Sequence, residues 1–317
     1  MACWSPLRAW QKDSGEIVFV ERGSIRRELS LPCGQCSGCR TARSREWAVR
    51  CIHESSMHDS SYFLTLTYAP EHCPISLVYS HFQLFMKRLR KWDRSYKISL
   101  YEADCKSGSR ARDPAFSPQP LRFYMCGEYG EQFSRPHYHA CLFGISLPDL
   151  VVYSETGSGS TIYISKILDS LWPFGYASIG AVTFESAAYV ARYVMKKVTG
   201  PRAADHYRRC IVETGEMVDV VPEFTRMSLK PGIGASWIAK YSDDVYTTDA
   251  CIIKGKRVKP PRYYDKYLAL SDAFAAEYLE FERYTKAMLI GPDNTPDRLR
   301  TRQIVAEARL SFSQRKL

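Results

Sequence analysis

Residues 135–143 read Arg135-Pro136-His137-Tyr138-His139-Ala140-Cys141-Leu142-Phe143, and the run from His139 to Ile145 has the composition of a strand. In a strand, residues i and i+2 point to the same side. His137 and His139 would then offer two imidazoles to one point, while Tyr138 fills the opposite face. Imidazoles alone suit Zn, Cu, Fe or Ni; an added carboxylate with open positions also admits Mn²⁺ or Mg²⁺. The run Leu121 to Cys126 reads as a partner strand, followed by Gly127-Glu128-Tyr129-Gly130-Glu131. If the two strands pair, Glu128 or Glu131 reaches the imidazoles; Glu128 is the better choice because Glu131 sits deeper in the turn. Taken alone, the pair also fits two half-buried or surface histidines.

Working outward, Tyr62 to Tyr68 is β-branched and aromatic and predicts a strand between Ser60-Ser61 and Pro70. Residues 40–57 lack Gly and Pro and predict a helix. So do residues 80–93, which place Phe82, Phe85, Met86 and Leu89 on one face. Further helices are expected at 162–172 and 186–198, with a strand at 175–183 between them. The stretches 104–120 and 153–161 read as surface loops, 201–235 as irregular, 251–258 as a strand or hairpin, and 264–289 and 293–312 as helices. The order β-α-β-β-α-β-α predicts an α+β fold: an antiparallel central sheet with helices packed on one face.

Composition bounds the function. The 317 residues carry 44 Lys+Arg against 34 Asp+Glu, a net charge of +10, which suits a polyanionic partner and equally a soluble basic enzyme. No run approaches the ~18 apolar residues of a membrane helix, and the N-terminus has no apolar core of a signal peptide. Eleven Cys in such a chain predict mostly free thiols in a reducing compartment.

The helix around 186–198 carries Ala188-Tyr189-Val190-Ala191-Arg192-Tyr193-Val194-Met195-Lys196-Lys197. Tyr189 and Tyr193 are i and i+4, so their phenols share one side of the helix. Nearby ammonium groups on Lys196 and Lys197 would favour a phenolate nucleophile. The same pattern fits an aromatic core stripe with a basic end. A His-x-His pair followed some fifty residues later by paired tyrosines joins the two halves of one chemistry, metal-polarised phosphodiester cleavage by a tyrosine.

His137-Tyr138-His139 resembles the histidine-hydrophobe-histidine signature of HUH endonucleases. The 189–197 run is similar to the two-tyrosine motif of rolling-circle initiators from small single-stranded DNA phages, the Microviridae, with Arg192 where Lys is frequent. Phe63-Leu64-Thr65-Leu66-Thr67 resembles their first strand motif. Pro32 to Arg40, Gly127 to Gly130 and Lys259 to Lys266 resemble the gokushovirus type in particular. The resemblance runs from about residue 30 to about 267. It implies an RRM/ferredoxin-like palm with His137, His139 and Glu128 holding Mg²⁺ or Mn²⁺, and Tyr189, Tyr193, Lys196 and Lys197 in catalytic roles. It also implies origin-specific nicking, a 5′-phosphotyrosine link, extension of the free 3′ hydroxyl and closure of the displaced strand into a circle, in the cytoplasm of a bacterial host. No Gly-x4-Gly-Lys-Ser/Thr run is present, so a host helicase is implied beside the host polymerase. The alternatives are a relaxase or transposase of the same superfamily, or a non-catalytic, zinc-stabilised single-strand DNA-binding protein.

Two features remain. Cys33, Cys36 and Cys39 form a Cys-x2-Cys-x2-Cys run; zinc needs a fourth ligand, with Cys3 the first candidate and Cys51 and His53 behind it. Three ordinary thiols in a turn is the plain alternative. The strip Lys254, Lys256, Arg257, Lys259, Arg262 and Tyr263 interleaves cations with an aromatic, suited to tracking phosphates and stacking bases, or to a solvated loop. Lys87, Arg88, Arg90 and Lys91 make a second basic face. The expected segmentation is 1–58 Cys-rich, 59–200 catalytic, 201–267 a basic DNA-binding extension and 268–317 a helical C-terminal region.

Overall fold

A computed structural model describes residues 3–130, 133–157, 159–198, 200, 203–211 and 214–314; the side chains of 193–196, 290, 292, 310 and 312–314 are outside that description. The chain divides into two units. One comprises residues up to Glu46 together with those from Asp243, and the other comprises Trp47–Ser242.

The first unit begins with a small antiparallel sheet absent from the sequence reading: β1 (Leu7–Lys12), β2 (Ile17–Val18) and β3 (Ile25–Leu31), in order β2-β1-β3. Its strands are charged and largely exposed, so they lack the apolar alternation that announces a strand. Helix α1 (Ser37–Ser55) starts inside the cysteine run and continues into the second unit. Gly34 makes the turn before it with φ +75°, where a side chain would be strained.

The second unit is built on one seven-stranded sheet. In chain order come β4 (Ser61–Tyr68), α2 (Tyr79–Lys106), β5 (Arg122–Tyr129), β6 (Pro136–Phe143), β7 (Val151–Glu155), β8 (Thr161–Ile164), α3 (Lys166–Leu171), β9 (Gly175–Ala181) and α4 (Phe184–Lys196). Then follow α5 (Ala203–His206), β10 (Arg208–Cys210), β11 (Met217–Asp219), β12 (Phe224–Met227) and α6 (Ala235–Thr248). The sheet order is β12-β5-β6-β4-β9-β8-β7, antiparallel at every pairing.

The α+β class and antiparallel sheet agree with expectation, but helices cover both faces of the sheet, not one. Phe82, Phe85, Met86 and Leu89 of α2 pack on Leu64, Leu66, Met125, Tyr138 and Leu142. Ala48 and Cys51 of α1, with Ala187, Val190 and Ala191 of α4, pack on Tyr124, Cys126, Cys141 and Phe143. The reason is visible in β5, where Phe123-Tyr124-Met125-Cys126 is apolar at both parities and every residue is buried. A strand covered on both sides loses its alternation.

Three other readings change. The expected helix at 162–172 is half strand: Thr161-Ile162-Tyr163-Ile164 is β-branched and aromatic and forms β8. The Ser165 hydroxyl then caps α3 by accepting from the Leu168 amide at 3.2 Å. The irregular stretch 201–235 contributes β12, an edge strand that pairs Phe224 with Gly127. Helix α2 runs to Lys106, so the loop after it starts later than composition suggested.

The remainder of the first unit is the hairpin β13 (Cys251–Ile253) and β14 (Lys256–Val258), then α7 (Arg262–Ser271), α8 (Ala273–Ile290) and α9 (Pro296–Gln314). The single helix expected over 264–289 breaks at Asp272, whose carboxylate accepts from the Ala275 amide at 2.9 Å and caps α8. Arg283 of α8 bridges Asp249 and Asp265 at 2.5 and 2.9 Å. Among the described residues, no helix is long and apolar enough to cross a membrane.

Candidate active site and thiol cluster

Register assembles the first cluster. Strand β6 runs between β5 and β4, with His137 opposite Glu128 and Thr67, and His139 opposite Cys126 and Thr65. Glu128, His137, His139 and Thr65 therefore lie on one side of the sheet. Tyr138 points to the other side, fully buried, its hydroxyl donating to the Val78 carbonyl at 2.8 Å and accepting from the Val78 amide at 2.9 Å.

His139 is 7% exposed and Glu128 4%. The His139 Nε2 lies 2.8 Å from Glu128 Oε1, and its Nδ1 lies 2.9 Å from Thr65 Oγ1. His137 Nδ1 is 2.7 Å from the Arg135 carbonyl. A carbonyl only accepts, so Nδ1 carries the proton and Nε2 keeps its lone pair. Burial pushes the His137 imidazole below its ordinary range and favours that neutral form. Gly130 closes against this ring: a Cβ there would stand 3.1 Å from His137 Cε1. Glu131, the alternative carboxylate, lies outside the described residues.

Helix α4 crosses above. Thr183 and Ser186 form a reciprocal capping box at its start. Small buried Ala187 and Ala191 let it approach β5 and β6 closely. This puts the Tyr189 ring against His139, centroids 5.2 Å apart, with Phe63 stacked on the other part of the same imidazole at 5.7 Å. Tyr193 is one helical turn further on; its side chain and that of Lys196 are outside the described residues, and Lys197 is the half-buried residue just after the helix. Thr65, Phe63 and Gly130 were not singled out from sequence as site residues. The alternation of Phe63-Leu64-Thr65-Leu66-Thr67 was the available signal, since it puts three of the five on the imidazole side.

The second cluster gathers Cys3, Cys33, Cys36 and Cys39, with sulfurs all within 4.8 Å of one another, so Cys3 takes the fourth place and not Cys51 or His53. Cys51 is buried against Cys141 in the second unit, and His53 stacks on Trp237. The imidazole–carboxylate group is not collected so tightly. Cys3 and Cys36 sulfurs are 3.9 Å apart, close to the ~3.8 Å edge of a tetrahedron with Zn–S bonds of ~2.3 Å. Backbone amides aim at the sulfurs: Cys33 N to Cys3 at 3.2 Å, and Trp4 N and Cys39 N to Cys36, each at 3.4 Å. Burial works to raise the Cys36 thiol, but the amides and neighbouring thiols outweigh it and bring it down to about 6.

The basic strip belongs to the first unit. Lys254 and Gly255, both with positive φ, turn the β13–β14 hairpin; Lys254, Lys256, Arg257, Lys259 and Arg262 are exposed. Arg257 donates to the Thr248 carbonyl, and Tyr263 meets Tyr267 hydroxyl to hydroxyl at 3.0 Å. The second basic face is partly structural: Arg88 donates to the Leu171 carbonyl.

An antiparallel sheet with His-x-His on an inner strand, a carboxylate opposite and a tyrosine helix across it is the arrangement of the HUH class. Residues 61–198 match the family model for replication-associated proteins of the ORF2 type. The chain is 33% identical to replication-associated protein VP4 of Bdellovibrio phage phiMH2K over 84% of this chain and 77% of that one. It is 31% identical to replication-associated protein ORF2 of Spiroplasma virus 4, over 89% and 86%, and 28% identical to ORF4 of Chlamydia phage 1, over 78% and 57%. No solved structure matches. The chain belongs to the phage replication-associated proteins, the microvirus-like initiators that its motifs resemble.

Proposed function

We propose that this protein starts rolling-circle replication by nicking one strand of the phage replicative DNA at its origin, in the cytoplasm of the bacterial host. The observation that carries this reading is the Tyr189 ring lying against an imidazole already bonded to Glu128. The donor set fits a divalent cation: His137 presents a neutral Nε2, and His139 and Glu128 already meet. Mg²⁺ or Mn²⁺ held by these three would supply Lewis-acid polarisation of the scissile phosphate.

The phenol oxygen of Tyr189 or Tyr193 attacks phosphorus in line. The P–O3′ bond breaks, the phenol gives up its proton and the 3′ oxygen takes one up. The products are a 5′-phosphotyrosine and a 3′ hydroxyl for the host polymerase. Lys196 or Lys197 stabilises charge on the phosphoryl oxygens or protonates the leaving oxygen. One phosphoester replaces another, so the reverse attack by a 3′ hydroxyl rejoins the strand and closes the circle. Two tyrosines one turn apart alternate between cleavage and rejoining. Lys254, Lys256, Arg257, Lys259, Arg262 and Tyr263 bind the DNA backbone and bases, and a host helicase opens the duplex.

The four thiols would hold a structural zinc, since their spacing fits a tetrahedral thiolate site and amides point at the sulfurs.

The test is a labelled origin oligonucleotide with Mn²⁺ or Mg²⁺, read as an adduct that survives denaturation. Cleavage should vanish in His137→Ala while most binding stays, because phosphate contacts dominate affinity. Normal cleavage by His137→Ala would overturn the metal assignment. A band shift with no adduct under any metal would favour a non-catalytic single-strand binder.

A further inference from the structure

The segment between α4 and β12 bridges the two halves of the site. Helix α4 ends at Lys196, and two residues later the Val198 amide donates to the Tyr207 hydroxyl at 2.9 Å. Tyr207 in turn donates to Glu223 Oε2 at 2.5 Å. Both residues are 6% exposed, an unusual place for a carboxylate unless it has a specific partner. Burial, then the Glu223 carboxylate, push the Tyr207 phenol up to about 12, so it stays a donor. The Val220 amide donates to the Tyr207 carbonyl at 2.8 Å, closing the base of the β10–β11 hairpin.

The same segment grips the strand that carries Glu128. The Arg209 guanidinium lies 3.9 Å from the centroid of the Tyr129 ring and donates to the Ser134 carbonyl at 3.0 Å. The Tyr129 hydroxyl donates to the Val221 carbonyl at 2.8 Å. Glu223 immediately precedes Phe224, which pairs with Gly127, the neighbour of Glu128.

We propose that residues 203–223 act as a positioning strap for the cleavage reaction: Tyr207, held by Glu223, fixes the end of α4 beyond Tyr193, while Arg209 and the Val221 carbonyl fix the end of β5 beside Glu128. This rests on the nicking function proposed above. Neither Tyr207 nor Glu223 touches the imidazoles, so they place reacting groups without reacting. Tyr193 is five residues from the held amide and Tyr189 is nine, on the part of α4 that packs directly on the sheet. The strap therefore matters more for the second tyrosine than for the first.

The experiment compares proteins with a single nucleophile. Tyr207→Phe is placed in a Tyr189→Phe background, which leaves Tyr193, and in a Tyr193→Phe background, which leaves Tyr189. Single-turnover adduct formation is followed on an origin oligonucleotide with Mn²⁺. A displacement of the order of 1 Å can cost up to about a hundredfold, so a loss of about tenfold or more is expected through Tyr193, and under about threefold through Tyr189. Oligonucleotide affinity should be unchanged in both. Glu223→Gln keeps an acceptor oxygen for Tyr207 and should retain more Tyr193 activity than Tyr207→Phe. Hydrogen exchange at the Val198 amide should quicken in Tyr207→Phe. Equal losses through both tyrosines, or an unaltered Val198 amide, would overturn the strap. If the single-nucleophile proteins with an intact strap form no adduct at all, the nicking function fails instead.

Discussion

His139 and Tyr189 meet edge to face, with ring planes at 86°. One residue comes from an inner strand and the other from a helix fifty residues further along the chain. The contact needs only the ring, whereas the chemistry proposed for Tyr189 needs its oxygen. Tyr189→Phe should therefore keep the fold and melting temperature and remove every adduct carried on residue 189. Mass spectrometry of the nuclease-trimmed adduct would locate the remaining linkage on Tyr193. Tyr189→Phe combined with Tyr193→Phe should form none, and any residual adduct would show that another residue is the nucleophile.

Thr65 sets the orientation of His139 from behind, 2.9 Å from Nδ1. Its hydroxyl can donate to Nδ1 or accept from it, so it can serve either tautomer of the imidazole. A partner of this kind typically contributes ten- to a hundredfold to metal affinity. Thr65→Val keeps the shape and should weaken Mn²⁺ binding by about that factor, measured by calorimetry, with oligonucleotide affinity at low metal unaffected. An unaltered Mn²⁺ affinity would remove Thr65 from the site.

How far the sequence foretold this arrangement differs between its parts. His137 and His139 were legible because strand alternation is a local rule, and Glu128 because hairpin pairing is nearly local. Cys3 could be placed first among the fourth thiol candidates but not separated from Cys51 and His53. That choice depends on β1–β3, whose charged strands give no periodic signal. The strap was read as irregular because its strands are three residues long and its holding contacts are single side chains far apart in sequence. The two-sided covering of the sheet was hidden for the opposite reason: β5 is apolar throughout, so its pattern carries no face information.

The thiol cluster yields a prediction independent of nicking. Protein purified without chelator should carry about one zinc per chain, released by a mercurial thiol reagent and detected with a chromogenic chelator. Cys33→Ser should lower that stoichiometry and destabilise the first unit, because metal binding is linked to folding. Full-length protein with no zinc and four readily alkylated thiols would rule the site out.

Glu54 lies under the sheet at 2% exposure and accepts from Arg122, from the Gly234 amide at 2.6 Å and from His58 at 3.3 Å. Burial by itself would raise its carboxyl; the His58, Gly234 and Arg122 bonds outweigh that and hold it below the ordinary range. Removing one partner of such a pair strands a buried charge. Arg122→Met should cost about 3–5 kcal/mol in urea unfolding at pH 7, and Arg122→Met with Glu54→Gln appreciably less than the sum of the two single changes. Strict additivity would mean the two groups do not act as a pair.

His53 gives the molecule its expected sensitivity to mild acid. Its ring is 5% exposed and stacked on Trp237 with centroids 3.4 Å apart, and burial lowers its imidazole to about 4. An unfolded chain protonates the same group near ~6.5. Between those values the unfolded state binds a proton that the folded state refuses, so stability falls as pH falls. The contribution is complete above about 6.5, is lost progressively toward about 4, and amounts to something on the order of 3 kcal/mol. His81 and His137, also lowered by burial, add slopes of the same sign, while the Glu54 contribution is lost only below the ordinary carboxyl range. His53→Phe keeps an aromatic ring on Trp237 and removes the titration. Urea unfolding at pH 7, 5.5 and 4.5 should give it a shallower decline than the unaltered protein, the gap widening toward acid. Parallel curves would show that His53 takes up its proton as readily folded as unfolded.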